Sequence, residues 1–496
     1  MLLRQEGERA SENFLPEPES MENPLHPGYN LKYRKISGRF RRAGRMRKAL
    51  PRRGGQQMKK GRKMFVPILI VVVLILLAAA GFSAAFRAES REEETQEQAA
   101  VTTAEEEPEE DEAAEEEAAV EAAEEESDAE ESAESPAEEV LTEEQLLEQE
   151  ISERIASMTL EEKVAQLFIV TPEALTGQDC VTLADEAAGE AFHACPVGGL
   201  VFFSENFESE SQTVELLADF QAFSIDRLEL PLFLCVDEEG GSVARVAGSG
   251  VFDVPDVGDM SDIGAGGDTD AAYQAGKTIG TYLSELGFNV DFAPVADVWT
   301  NTENTMLQDR AFGSSAELVS GTASAFLNGL RDTGVQGTYK HFPGHGNTAA
   351  DTHDGYAYTE KTWEELLECE LIPFETGISQ GVNFIMVAHI ALPNVTGDDT
   401  PASLSEAVYD LLRSELGYEG IAVTDALNMG AVTEDYTSEQ AAVAALQAGA
   451  DMILMPEDFE SAFSGVLNAV ESGELTEERI DESLERILRV KLQMQE

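Results

Sequence analysis

The chain has 496 residues and a formal charge of −63 at pH 7, from 96 acids against 33 bases. So acidic a balance excludes nucleic acid as a partner, because a phosphate backbone demands a basic footprint. The charge is distributed unevenly, and its distribution divides the chain.

Residues 31–63 carry 15 Lys or Arg and no acid. Residues 64–86, MFVPILIVVVLILLAAAGFSAAF, carry no charge at all. This run exceeds the roughly 20 residues needed to cross a bilayer, so it reads as a transmembrane helix. The basic flank on its N-terminal side places residues 1–63 in the cytoplasm and everything after Phe86 outside. Cleavage near Ser83 and Ala85 is the rival reading, but the leading segment is far too long for an ordinary signal peptide. Residues 88–150 hold 29 acids and one Arg, set mainly among Ala. Such a stretch buries too little surface to offset its ordering entropy, and its like charges repel at helical spacing. It is expected to be a disordered, extended acidic spacer over 87–145.

The domain expected over 146–496 alternates apolar runs with amphipathic ones. The apolar runs are VAQLFIV (164–170), GGLVFF (198–203), LFLCVD (232–237), FNVDFAPVAD (288–297), VQGTYKHF (335–342), NFIMVAHI (383–390), GIAVTDAL (420–427) and ADMILMP (450–456). Nearly continuous hydrophobic runs fit parallel strands buried on both faces. Helices are expected between them, including 270–287, 362–381 and 438–449, the last with Ser438 as N-cap. Eight strands alternating with helices predict an α/β fold, a (β/α)8 barrel of TIM type. A doubly wound open sheet is the runner-up, weakened because no glycine-rich phosphate loop follows a first strand. Four cysteines, Cys180, Cys195, Cys235 and Cys369, lie on the external side, where disulfides are permitted. Cys180 and Cys195 are near enough in sequence to pair, although spacing cannot choose a connectivity. Cys235, in a strand-like run, is expected to be a buried thiol.

Catalytic groups of such barrels sit at the C-terminal ends of the strands. Asp237, Asp297, Lys340, His341, His389 and Asp425 all fall at expected strand ends. Half of the six histidines of the chain, His341, His345 and His353, lie in KHFPGHGNTAADTHDG, residues 340–355. Their spacing does not match a helical zinc pattern, so no metal is expected. His345, between glycines, reads as a loop-shaping residue. His389 reads equally as a core histidine or as a floor to the pocket.

From Leu160 to Gln495 the chain resembles glycoside hydrolase family 3, in particular its β-N-acetylhexosaminidase branch. KHFPGHG (340–346) is similar to a family motif almost letter for letter, and Asp351-Thr352-His353 resembles its Asp-x-His dyad. VTDALNMGA (423–431) is similar to the nucleophile loop, VDEEGGSVAR (236–245) to the first substrate-binding motif, and DRAFG (309–313) to the next. The resemblance implies that Asp425 is the nucleophile and His353 the acid/base, oriented by Asp351. It implies that Asp237, Arg245, Arg310, Lys340 and His341 bind the sugar, and that no cofactor is needed. The chemistry is coherent. Retention requires a carboxylate on one face of the sugar and a proton donor on the other. An imidazole titrates near pH 6.5 and can serve as both donor and acceptor.

The chain departs from the family in places. It has Thr305, Met306, Leu307 and Gln308 where relatives often carry a Pro-Val-Ile-Gly-like run. Asn347 stands where Asp is common and Glu238 where Gln is common. No sandwich domain like that of the larger β-glucosidase relatives follows the expected barrel, which fits an acid carried on the barrel loop. The expectation is a cell-membrane, single-pass protein with an outward-facing β-N-acetylglucosaminidase domain. Its expected partners are a carbohydrate, either a β-GlcNAc glycan or a muropeptide, and the membrane. A β-glucosidase, a phosphorolytic enzyme of the same family and a non-catalytic wall-binding protein are the other readings. The intact Asp351, His353 and Asp425 argue against the last.

Overall fold

The computed structural model describes residues 141–348 and 357–495. The tail 1–63, the apolar run 64–86 and nearly all of the spacer 87–145 lie outside the described residues, as do Asp351 and His353. Among the described residues no helix is long and apolar enough to cross a membrane.

A helix over Glu143–Ser157 straddles the boundary expected at 145/146. Thr142 and Gln145 form a reciprocal capping box at its start, and Ile151 and Ile155 anchor it by burial. Eight short strands follow: β1 (Phe168–Val170), β2 (Gly199–Val201), β3 (Phe233–Val236), β4 (Val290–Asp291), β5 (Gln336–Phe342), β6 (Phe384–Val387), β7 (Ile421–Thr424) and β8 (Ile453–Leu454). All pair in parallel, in chain order from β1 to β7, with β8 on the other side of β1. A bridge between Val423 and Met452 spans the remaining gap between β7 and β8. The result is a nearly closed barrel of TIM type, and the ring order excludes a doubly wound sheet. One or more helices follow each strand.

Three local readings change. The stretch 362–381 is two helices, Trp363–Leu367 and Ile372–Ser379, because Pro373 lacks an N–H and is tolerated only in a first turn. The N-cap of the helix Ser438–Ala448 is Thr437, whose hydroxyl accepts from the Gln440 amide; Ser438 instead accepts from the Asp458 amide. All four cysteines are free thiols, so Cys180 and Cys195 are not bridged, while Cys235 is buried as expected.

The run 288–297 leaves regular strand geometry after Asp291. Pro294 cannot donate to a ladder, yet its carbonyl accepts from the Lys340 amide, and the Ala296 amide donates to the Lys340 carbonyl at 2.7 Å. This continued pairing with β5 brings Asp297 level with Lys340 and His341. The other end of the barrel is packed shut. Phe233 and Phe384 meet edge to face at 5.2 Å, and Lys491 of the last helix places its ammonium 4.8 Å from the Phe233 ring centre.

Candidate active site

A cavity of about 360 Å³ opens at the C-terminal ends of the strands. That suits a small ligand, since such pockets typically hold roughly 300–1,000 Å³. Asp237, Arg245, Arg310, Lys340, His341 and Asp425, six of the residues named from sequence, line it. They come from the ends of β3, β5 and β7 and from two loops. Asp351 and His353 are the two named residues that lie outside the described ones.

The charges are organised around Glu239, which the motif reading passed over. Its side chain is almost wholly buried and accepts from Arg310 twice, at 2.7 Å through both Nε and Nη2. Lys340 Nζ lies 2.6 Å from the same carboxylate and 2.8 Å from Asp237 Oδ1. Burial alone would raise the Glu239 carboxyl, but the Arg310 and Lys340 charges outweigh it and hold it well below the usual range. Burial would likewise lower Lys340, and Asp237 and Glu239 overcome that and raise it. Glu239, Arg310 and Lys340 are therefore held in their charged forms by one another rather than by water. Such a group keeps a rigid row of donors and acceptors in register for hydroxyls.

Asp297, placed at a strand end from the sequence but given no role there, is the second organising acid. It is fully buried and accepts from His341 Nδ1 at 2.7 Å and from the His345 amide at 2.6 Å. Burial raises its carboxyl, and His341 and His345 together bring it below the usual range. Because the carboxylate can only accept, His341 carries its proton on Nδ1 and turns Nε2 elsewhere. His345 shapes the loop but also lines the cavity, buried and 2.7 Å from the Thr348 hydroxyl through Nδ1. A signal existed for both acids: Glu239 lies in the charge-rich VDEEGGSVAR, and Asp297 ends an apolar strand-like run.

Arg245 stands at the rim with its guanidinium 5.5 Å from the centre of the Phe203 ring. Its Nε is buried without a hydrogen-bond partner among the described residues. Its loop is closed by Glu238, which accepts from the Val246 and Ala247 amides at 2.7 and 2.8 Å and from Tyr282 Oη at 2.8 Å. Burial pushes the Glu238 carboxyl up against these bonds.

Asp425 is the first residue beyond β7 and partly exposed to the cavity. Burial works to raise its carboxyl, but His389, His341, the Ala426 amide and Lys340 together bring it below the ordinary range. It is thus held as an anion near the Lys340 cation. Phe203, Val243, Met306 and Met455 add apolar surface to the lining. No group of three or more potential metal ligands occurs among the described residues.

At the strand ends of this TIM-type barrel stand an ionised carboxylate, a buried Lys–Glu–Arg cluster and an oriented histidine, groups of the kind that glycoside hydrolysis uses. Comparison with known proteins agrees. The family model described as the glycosyl hydrolase family 3 N terminal domain matches residues 159–490, and the chain belongs to that family. Beta-hexosaminidase A of Pseudoalteromonas piscicida is 33% identical over 324 residues, which cover 60% of this chain and 54% of that protein. Beta-hexosaminidase LpqI of Mycobacterium tuberculosis is 34% identical, covering 53% of this chain and 68% of its own length. The solved structure of a family 3 β-N-acetylglucosaminidase from Paenibacillus sp. str. FPU-7 superposes with a TM-score of 0.64 at 38% identity, covering 68% of this chain and 63% of the other. The chain thus spans about half the length of the first of these relatives.

Proposed function

We propose that this protein is a retaining β-N-acetylglucosaminidase, anchored in the membrane by residues 64–86, which releases terminal β-linked GlcNAc outside the cell. The observation that carries the reaction is the ionised Asp425 at the end of β7, facing the Lys340–Glu239–Arg310 cluster across one cavity. Asp425 attacks the anomeric carbon and displaces the leaving group. His353, charged beside Asp351, donates the proton that the departing oxygen needs, then takes one from the water that resolves the glycosyl-enzyme. Asp237, Lys340, His341, Arg310 and Arg245 hold the sugar. The names of the relatives support the acetamido sugar. The 15 bases before the apolar run support the orientation, and the acidic spacer after it would hold the barrel away from the bilayer. Peptidoglycan fragments are the substrate that such a placement favours.

Two substrates test the assignment. An activated phenol departs with little protonation, whereas a sugar alcohol does not. His353→Ala should therefore lose about 10²–10⁴-fold more on a GlcNAc disaccharide than on a nitrophenyl glycoside. Equal losses on both would count against His353 as the acid. Protease added to intact cells should remove the barrel and spare residues 1–63; a protected barrel would overturn the orientation.

A further inference from the structure

We infer that His389 is a positioning residue for Asp425: it clamps the peptide that follows the carboxylate and so fixes the direction of attack. This rests on the reading of Asp425 as nucleophile.

The chain leaves β7 through Asp425, Ala426 and Leu427. The Asp425 amide donates to the Val387 carbonyl at 2.8 Å, and the Leu427 amide to the Leu454 carbonyl at 2.9 Å. The turn is thus tied to β6 on one side and to β8 on the other. His389, fully buried just past the end of β6, reaches the Ala426 carbonyl with Nε2 at 2.9 Å. A carbonyl only accepts, so Nε2 carries the proton. Nδ1 lies 2.6 Å from Ser403 Oγ, also fully buried. The Ser403 amide in turn donates to the Ala388 carbonyl at 3.0 Å, and Tyr409 Oη donates to the Ser403 carbonyl at 3.1 Å. The ring cannot turn without breaking bonds at both nitrogens.

The consequence falls on the carboxylate. The peptide unit between Ala426 and Leu427 is gripped at both ends, its C=O by His389 and its N–H by Leu454. The preceding amide, Ala426 N–H, then points back and donates to Asp425 Oδ1 at 2.8 Å. A hydrogen bond to one oxygen favours the charged form and leaves the other oxygen to attack. Among the described residues, the titratable groups that face Asp425 are His389 just past β6, and Lys340, His341 and His345 from β5 and its loop. Of these, His389 is the one bonded to the backbone of the turn itself.

The test is a substitution series in the full chain, assayed on nitrophenyl GlcNAc. Gln at 389 can place an amide N–H where Nε2 stood and still serve the Ala426 carbonyl. Asn reaches only as far as Nδ1. His389→Asn should lose about 10–100-fold in kcat, the worth of a buried hydrogen bond near a charge. Its KM should hardly change, because no sugar-binding group moves. His389→Gln should recover most of that loss. The acid limb of the kcat/KM profile should move to higher pH in both variants, because each removes the imidazole beside the Asp425 anion, and further in Asn, where the Ala426 amide is no longer held on Oδ1. Equal kcat in the two variants, or a rise in KM alone, would overturn the inference. Should His389→Asn fail to show a GlcNAc-dependent thermal shift, Ser403→Ala carries the test. It frees the ring at Nδ1 only, and a several-fold fall in kcat with unchanged KM is expected; unchanged kcat would overturn the inference. Asp425→Ala separates the two claims. Full activity there removes the nucleophile reading, whereas a dead Asp425→Ala with equal Gln and Asn variants removes only the clamp.

Discussion

Two lysines are buried at opposite ends of this barrel, and they behave in opposite ways. Lys340, at the mouth, touches two carboxylates, which raise it despite its burial. Lys491, at the floor, donates to neutral Gln166 Oε1 at 2.8 Å and lies over the Phe233 ring. Burial lowers it to about 7, against which Cys235 acts only weakly. Among the described residues no carboxylate comes within ion-pair distance of it. The mouth therefore keeps its lysine charged because carboxylates pair with it, while the floor holds a lysine near its titration point in a packed core. Burial is common to both; the partner decides the outcome.

The sharpest contrast should come from variants at the two ends. Asp425→Ala should abolish turnover, by about 10⁴-fold or more, as loss of a covalent nucleophile does. Its unfolding midpoint should hardly fall, since among the described residues no cation is within ion-pair distance of that carboxylate. Full activity would refute the family mechanism. In the parent, the carboxyl is held below the ordinary range, so Asp425 stays ionised as pH falls toward its usual value, and activity limited by this group should persist there.

Next in size is Glu239→Gln. It leaves the Arg310 and Lys340 charges buried with less compensation, a situation that typically costs about 3–5 kcal/mol. Both urea stability and activity should drop. A variant as stable as the parent would show that water reaches the cluster.

At the floor the sign reverses. Below about 7 both the folded and the unfolded chain carry the Lys491 proton, and the folded state bears the full penalty of a buried charge. Between about 7 and the ordinary 10.5 only the unfolded chain binds it, so this group makes stability rise with pH across that window. Lys491→Met should gain roughly 2–3 kcal/mol at pH 7 and lose that pH dependence, with activity unchanged. Urea titrations at pH 7 and 9 read both. A destabilised variant would mean that the Gln166 bond and the ring contact outweigh the desolvation.

The smallest effect joins mouth to mechanism. Asp297→Asn would keep the packing around His341 but weaken the charge-assisted bond to its Nδ1. A loss of about 10–100-fold in kcat/KM is expected, from about 1.5–3 kcal/mol for a bond to a charged group. A loss confined to stability would make Asp297 a scaffold residue only.

The legible part of the site was its motif letters. KHFPGHG and VTDAL carry Lys340, His341 and Asp425, and strand periodicity alone placed them at one end of a barrel. Glu239 and Asp297 were less legible, because a carboxylate in a motif looks the same whether it faces sugar or braces a cation. His389 was ambiguous for a related reason: a buried histidine and a pocket floor share one sequence context. The three-dimensional partners, Ala426 O and Ser403 Oγ, resolve that ambiguity.

Local sequence was sufficient for whatever depends on neighbouring residues. Continuous apolar runs imply strands buried on both faces, and the break at Pro373 was written in the local sequence too, although the expectation of one helix over 362–381 passed over it. The extreme bias of charge marks off the tail, the apolar run and the spacer without reference to any fold. Tertiary structure alone decided which charges meet. Lys340 and Glu239 are far apart in the chain, as are Lys491 and Phe233, and no periodicity links either pair. Electrostatic free energy depends on distance and on water excluded by remote elements. Closure of the barrel is therefore what makes one buried lysine a fixed cation and leaves the other close to losing its proton.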